Sequence, residues 1–224
     1  MIRAVVKHGV GNKGWQVLGI EDSFNGLFES PYGIQEMTLK RCSGLLSKGG
    51  TILGTTNKGD PFAWGPDKVN MAPQVPKAMA ELGLDGLVVI GGDGTQAIAQ
   101  RLIDETGIRR VGVPTTIDNH LRATARTFGS QPALDVATEA LDRLHTTAES
   151  HDRVIILEVM GRDAGHIALH AGIGGGADCI VIPEIPYAID RLCAKIDARR
   201  AVGRFFTLII VAEGAKPAGG MGGG

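Results

Sequence analysis

Four polar clusters in this chain have residue types and spacing suited to chemistry. The first is Gly91-Gly92-Asp93-Gly94-Thr95, set between an apolar run and a helix-like segment. Glycines let backbone N–H groups approach an anion closely, and the N-terminus of a following helix adds a favourable field. A loop built only to hold phosphate would not want an acid. Asp93 makes sense if it recruits Mg²⁺, an ion commonly held by one or two carboxylates plus substrate oxygens. The bland alternative is a tight strand-to-helix turn with a solvated aspartate, since a glycine-rich turn alone is weak evidence. The second cluster, Thr115-Thr116-Ile117-Asp118-Asn119-His120, offers an acid able to take a hydroxyl proton. Taken alone, Asp118 is explained at least as well by an Asx-turn, in which an aspartate caps its own loop. Met160-Gly161-Arg162 supplies a cation and Glu213 a further carboxylate, although a lone arginine is usually a surface cation. Together the clusters contain what phosphoryl transfer needs: a phosphate cradle with a metal-binding acid, a second acid as base, and positive charge. Their convergence favours a kinase site over four unrelated turns.

The elements that must carry these clusters follow from the pattern between them. Leu87-Val88-Val89-Ile90 is continuous, apolar and β-branched, as in a buried strand, and Gln96 onward has helical spacing continued by Leu102 and Ile103. Arg110 to Val113, Val154 to Val159, Cys179 to Ile182 and Phe205 to Ala212 read as strands, with short ones expected at Trp15 to Ile20 and Thr51 to Thr55. Helices are expected over Leu39 to Ser47, Gln74 to Leu82, Ala164 to Ala171 and Ile189 to Arg199. A longer helix carries Leu134, Ala137, Leu141 and Leu144 on one face. Periodicity does not decide helix from strand over Ile2 to Val10. Strands alternating with helices of this size indicate a parallel sheet covered on both faces, in which ligands bind beyond the carboxyl ends of strands. All four polar clusters fall at such ends.

The totals bound the reading. A chain of 224 residues with 43% hydrophobic and 21% charged residues is globular, not disordered. Its 23 basic and 24 acidic residues leave a net charge of -1, so there is no general electrostatic case for nucleic-acid binding. No apolar run reaches about 18 residues, which argues against a membrane span. Cys42, Cys179 and Cys193 show neither metal spacing nor a disulfide framework, as suits a cytoplasmic protein. Gly219-Gly220-Met221-Gly222-Gly223-Gly224 is expected to be an unpacked tail.

The segments Gly91 to Thr95, Thr116-Ile117-Asp118-Asn119, Ser150-His151-Asp152-Arg153, Glu158-Val159-Met160-Gly161-Arg162 and the acid at Glu213 resemble the 6-phosphofructokinase family in order and spacing. The likeness is to its bacterial, cyanobacterial-like branch and runs from about Ile2 to Lys216. The first loop alone is shared with NAD kinases and diacylglycerol kinases; its combination with the Thr-Ile-Asp-Asn and Met-Gly-Arg segments is highly specific. The resemblance implies an α/β, parallel-sheet, phosphofructokinase-like three-layer architecture and transfer of a phosphoryl group from Mg-ATP to the 1-hydroxyl of fructose 6-phosphate in glycolysis. It implies that Gly92, Gly94 and Thr95 contact nucleotide phosphates, that Asp93 binds Mg²⁺, and that Asn57 and Lys58 lie in a loop covering the nucleotide. Asp118 would be the base, with Thr116 and Ile117 beside it at the sugar. Met160, Gly161 and Arg162 would hold the sugar and the transferred phosphoryl, and Glu213 a sugar hydroxyl. Arg153 matches an arginine that reaches the 6-phosphate in a neighbouring subunit's site, which implies a homodimer or homotetramer.

The same comparison sets further expectations. Residues 1–125 would form a nucleotide-binding part, 126–216 a sugar-phosphate-binding part and 217–224 a glycine-rich tail. His120 stands where the family usually has a second aspartate, and Ser130-Gln131-Pro132 departs from the usual start of the long helix. Pyrophosphate-using members usually carry aspartate at the position of Gly94 and lysine at that of Thr115, so these residues favour ATP over pyrophosphate. The chain begins inside what resembles the family's first helix and stops before a segment carrying further phosphate-binding residues. The expectation is a fold incomplete at both termini, turning over far below a complete enzyme. The competing readings are a pyrophosphate-dependent phosphofructokinase, a lipid or NAD kinase sharing only the glycine loop, and a non-catalytic paralogue that keeps its ligand-binding loops.

Overall fold

A computed structural model describes residues 1–56, 59–121 and 124–219. The chain divides into two compact units, Met1–Val113 and the remainder from Pro114.

In the first unit, α1 (Ile2–Val6) runs on into a π-type turn over Lys7–Asn12, which settles the ambiguous opening segment as helical. A short antiparallel pair follows, β1 (Leu18–Ile20) against β2 (Ile34–Glu36), with Leu18 opposite Glu36. Then come α2 (Gln74–Glu81), β3 (Leu87–Gly91), α3 (Asp93–Thr106) and β4 (Arg110–Thr116), whose last residues lie in the second unit. The core gathers Leu27, Val75, Ala78, Leu87 and Leu102, so the apolar faces of α2 and α3 close on β3.

Two expected elements are absent here. Leu39–Ser47 is a series of turns, not a helix. A single helical turn closes with Cys42 N–H donating to the Thr38 carbonyl, and Gly44, at φ 73°, then turns the chain away. Thr51–Thr55 is not a strand. The Thr51 hydroxyl accepts from Leu53 N–H, and the Leu53 carbonyl accepts from Asp22 N–H in a loop-to-loop contact.

In the second unit, β5 (Phe128–Gly129) pairs in parallel with the end of β4, Thr115 opposite Phe128 and Thr116 opposite Gly129. The rest alternates as expected: α4 (Ser130–Ser150), β6 (Val154–Val159), α5 (His166–Gly174), β7 (Cys179–Val181), α6 (Ile189–Ala201) and β8 (Thr207–Ala212). The sheet order is β6-β8-β7, parallel throughout, with Ile156 opposite Ile209 and Ile180 opposite Ile210. Helices α4 and α5 cover one face through Ala137, Leu141, Ile167, Ala168 and Ala171, packed around Ile210. This is the α/β class that the alternation implied. The expected glycine tail begins with an anchored piece, since Ala218 N–H donates to the Tyr187 carbonyl at 2.7 Å. The remainder of that stretch, from Gly220 on, lies outside the described residues.

Ile210 has no exposure and sits where β8 meets both helices, whereas Ile156, on β6, is 62% exposed. Urea titration should therefore show Ile210→Ala losing about 2–5 kcal/mol in the second unit. Ile156→Ala should lose less than about 0.5 kcal/mol. Equal losses from the two would contradict this packing.

Candidate active site

β4 ends at Thr116, and the next three residues turn sharply at its carboxyl end. Asp118 is pulled in to 6% exposure by this bend, an unusual place for a carboxylate. The Thr116 hydroxyl holds it from both sides, accepting from Asp118 N–H at 3.3 Å and donating to Asp118 Oδ2 at 3.2 Å. That pattern is the local cap that the sequence allowed. Two cationic or potentially cationic groups stand at the same oxygen: Arg162 Nε at 3.8 Å and His120 Nδ1 at 3.7 Å. The arrangement is therefore more than a turn. It keeps a poorly solvated carboxylate beside a guanidinium drawn from another strand end.

Arg162 comes from the turn after β6. Gly161 and Arg162 both have left-handed backbone, at φ 149° and 51°, and for an arginine that conformation is costly. Glu213, directly after β8, holds it in place. Its Oε1 accepts from Gly161 N–H at 3.0 Å and from Arg162 N–H at 2.7 Å, while Glu213 N–H donates to the Val159 carbonyl at 2.9 Å. The next residue is glycine because a Cβ at Gly214 would collide with the Arg162 carbonyl. The two N–H groups, Arg162 first and then Gly161, hold the Glu213 carboxyl below its ordinary value of 4.5, and the Arg162 charge adds to this. Met160 and the Arg162 side chain remain largely exposed beside the turn. Thr116, Ile117, Asp118 and Met160-Gly161-Arg162-Glu213 thus cluster at the carboxyl ends of β4, β6 and β8.

In the first unit, the glycine loop is tighter than the sequence suggested. Gly92 is the N-cap, and α3 begins at Asp93, so Asp93, Gly94 and Thr95 form its first turn. Asp93 is exposed there, and the space where a Gly94 side chain would project is open for at least 4 Å. Gln96 was not singled out by any motif, yet it joins β3 and β4 to the helix. Its Nε2 donates to the carbonyls of Val89, Gly91 and Val113 at 3.1, 3.4 and 3.3 Å, and its Oε1 accepts from Arg110 Nη1 at 2.9 Å. Among the described residues no group of three or more His, Cys, Asp or Glu side chains is placed to bind a metal.

Two expected contacts are not assembled with the rest. Arg153 is exposed at the opposite end of β6 from Met160, about 23 Å away along the strand at about 3.3 Å per residue. Asn57 and Lys58 lie outside the described residues. Thr127, also unmarked by the sequence, bonds to both sides of the Asp118 turn.

A family model described as Phosphofructokinase matches residues 1–222. The chain belongs to the phosphofructokinase family. It is 51% identical over 219 residues to ATP-dependent 6-phosphofructokinase 1 of Synechocystis sp., covering 96% of this chain and 61% of that protein. It is 53% identical to ATP-dependent 6-phosphofructokinase of Chloroflexus aggregans, covering 98% of this chain and 62% of that one. A pyrophosphate–fructose 6-phosphate 1-phosphotransferase of Amycolatopsis mediterranei is 44% identical over the same 98% and 62% shares. Among solved structures, Pichia pastoris phosphofructokinase in the T-state superposes with a TM-score of 0.84 at 34% identity, covering 96% of this chain and 26% of that one. The chain spans only 61–62% of the length of these curated relatives. The motif resemblance is borne out as family and fold. Among the described residues no helix is long and apolar enough to cross a membrane.

The Glu213 contact makes a pH prediction. A carboxyl depressed in the fold stabilises the turn above its unfolded value and loses that contribution as pH falls through its folded value. A carbon-detected NMR titration should place the Glu213 midpoint below 4.5, and the Gly161 and Arg162 amide signals should move with it. Glu213→Gln should abolish that movement. A midpoint at or above 4.5 would contradict the contact.

Proposed function

We propose that this chain carries out the 6-phosphofructokinase reaction, moving the γ-phosphoryl group of Mg-ATP to the 1-hydroxyl of fructose 6-phosphate. The observation that carries the reading is Asp118: a nearly buried carboxylate at a strand end, beside the Arg162 guanidinium, in a chain of this family. Asp118 accepts the proton of the attacking hydroxyl, which makes that oxygen a better nucleophile. The mostly exposed Arg162 side chain, beside Met160 and Gly161, offers positive charge and guanidinium N–H groups for the sugar and for the transferred phosphoryl. The second Glu213 oxygen is left to accept from a sugar hydroxyl.

For the nucleotide, Gly92, Gly94 and Thr95 would present the first turn of α3 to phosphate oxygens, where the helix field is favourable. Asn57 and Lys58 are assigned to the loop over the nucleotide. A Mg²⁺ ion fits here only with help from the ligand. Asp93 is one exposed carboxylate, so phosphate oxygens and water would complete the shell. When bound, the ion offsets charge on the phosphate chain. The open space at Gly94 leaves room for a longer donor than pyrophosphate, and Thr115 adds no charge to compensate a shorter one. Arg153, out of reach of its own Met160 turn, is assigned to the 6-phosphate bound by a second copy, in a homodimer or homotetramer.

Three measurements test these roles. Asp118→Ser should leave nucleotide affinity intact and lower turnover by about 10²–10⁴-fold. Asp93→Asn should instead weaken Mg-nucleotide binding. Near-parental turnover in Asp118→Ser would remove the base. In direct competition ATP should displace pyrophosphate; tight pyrophosphate binding with no ATP binding would select the pyrophosphate-dependent reaction.

A further inference from the structure

Thr127 belongs to none of the motifs, yet it is 4% exposed and all three of its polar atoms are engaged. Its N–H donates to Asn119 Oδ1 at 2.8 Å, and its hydroxyl donates to the Thr116 carbonyl at 2.7 Å. Its carbonyl accepts from the Ser130 hydroxyl at 3.0 Å and from Ser130 N–H at 3.3 Å. Thr116 and Asn119 bracket Asp118. Asn119 is in the left-handed region at φ 55°, which asparagine tolerates, and its side-chain oxygen is turned to the Thr127 amide. We infer that Thr127 is a positioning residue for Asp118, fixing the carboxylate to α4 rather than to its own loop.

The other anchors are weaker: the Arg162 guanidinium reaches Asp118 Oδ2 only at 3.8 Å, from a side chain that is 68% exposed. The two contacts between Thr116 and Asp118 lie inside the loop, so they shape it without tying it to anything else. The β4–β5 pairing ends at Thr116 itself. Beyond it, Thr127 links the turn to Ser130, the first residue of a 21-residue helix whose Leu141 has no exposure in the core. The carboxylate is thereby referenced to a helix packed into the core of its unit. A misplacement of about 1 Å at a reacting group can cost about 10²-fold in rate, so such a brace has a functional consequence.

The inference rests on Asp118 being the base, but its geometry can be tested without turnover. Thr127→Val keeps the side-chain shape and removes the hydroxyl donor; Thr127→Ser keeps the donor. In amide NMR spectra of the chain, Thr127→Val should shift the signals of Asp118 and Asn119 and leave Gly161 and Arg162, held by Glu213, in place. Its kcat should fall about 10–100-fold with an unchanged KM for nucleotide. Thr127→Ser should restore both the signals and kcat. Unmoved Asp118 and Asn119 signals in Thr127→Val would overturn the inference, as would equal shifts at Gly161 and Arg162, or no recovery in Thr127→Ser. Full turnover in Asp118→Ser would remove the base assignment instead, and would leave the amide shifts as they are.

Discussion

Backbone groups at the ends of parallel strands have no ladder partner, and a group left without one near the core is expensive. In this chain side chains supply those partners, and they come from residues next to the proposed chemistry. Gln96 takes the carbonyl of Gly91, the last residue of β3, together with those of Val89 and Val113 inside β3 and β4. Thr127 takes the carbonyl of Thr116. Glu213 takes the N–H groups of Gly161 and Arg162. Each of these three residues satisfies backbone groups of a strand or of the turn after it, and each stands near a residue proposed to act on the ligands, namely Asp93, Asp118 and Arg162 respectively.

This division of labour explains why costly backbone survives in the second unit. Arg162 adopts a left-handed conformation that ordinary residues avoid, and Asn119 one that asparagine tolerates. Each is held by a hydrogen bond from outside its own turn, through Thr127 in one case and Glu213 in the other. Asp118 then stands beside the Arg162 guanidinium across two separately braced turns. His120 shares the same oxygen, which puts an imidazole where the family's pattern has an acid.

The sequence made the polar clusters and the strand–helix alternation legible, because both depend on local residue type and period. β6, α5 and β8 lie close to where their apolar runs put them. Leu39–Ser47 misled because its helical spacing is overruled by one backbone angle at Gly44, which a residue count does not reveal. Thr51–Thr55 misled because a short β-branched run becomes a strand only if another strand accepts it, and here the carbonyl of Leu53 goes to Asp22. Gln96 and Thr127 were silent for a related reason. Their roles lie in bonds to backbone atoms at other positions, and backbone leaves no mark in a residue pattern. Glu213 was visible as an acid, but its hold on Gly161 and Arg162 depends on β6 and β8 being neighbours.

The central claim is that the Asp118 carboxylate accepts the substrate proton, and chemical rescue tests it most directly. In Asp118→Ala, added formate supplies a mobile carboxylate to the vacated space. The account predicts that formation of fructose 1,6-bisphosphate, followed by phosphorus NMR, rises with formate concentration in the variant and not in the parent chain. A folded variant that forms product at the parental rate without formate would contradict it.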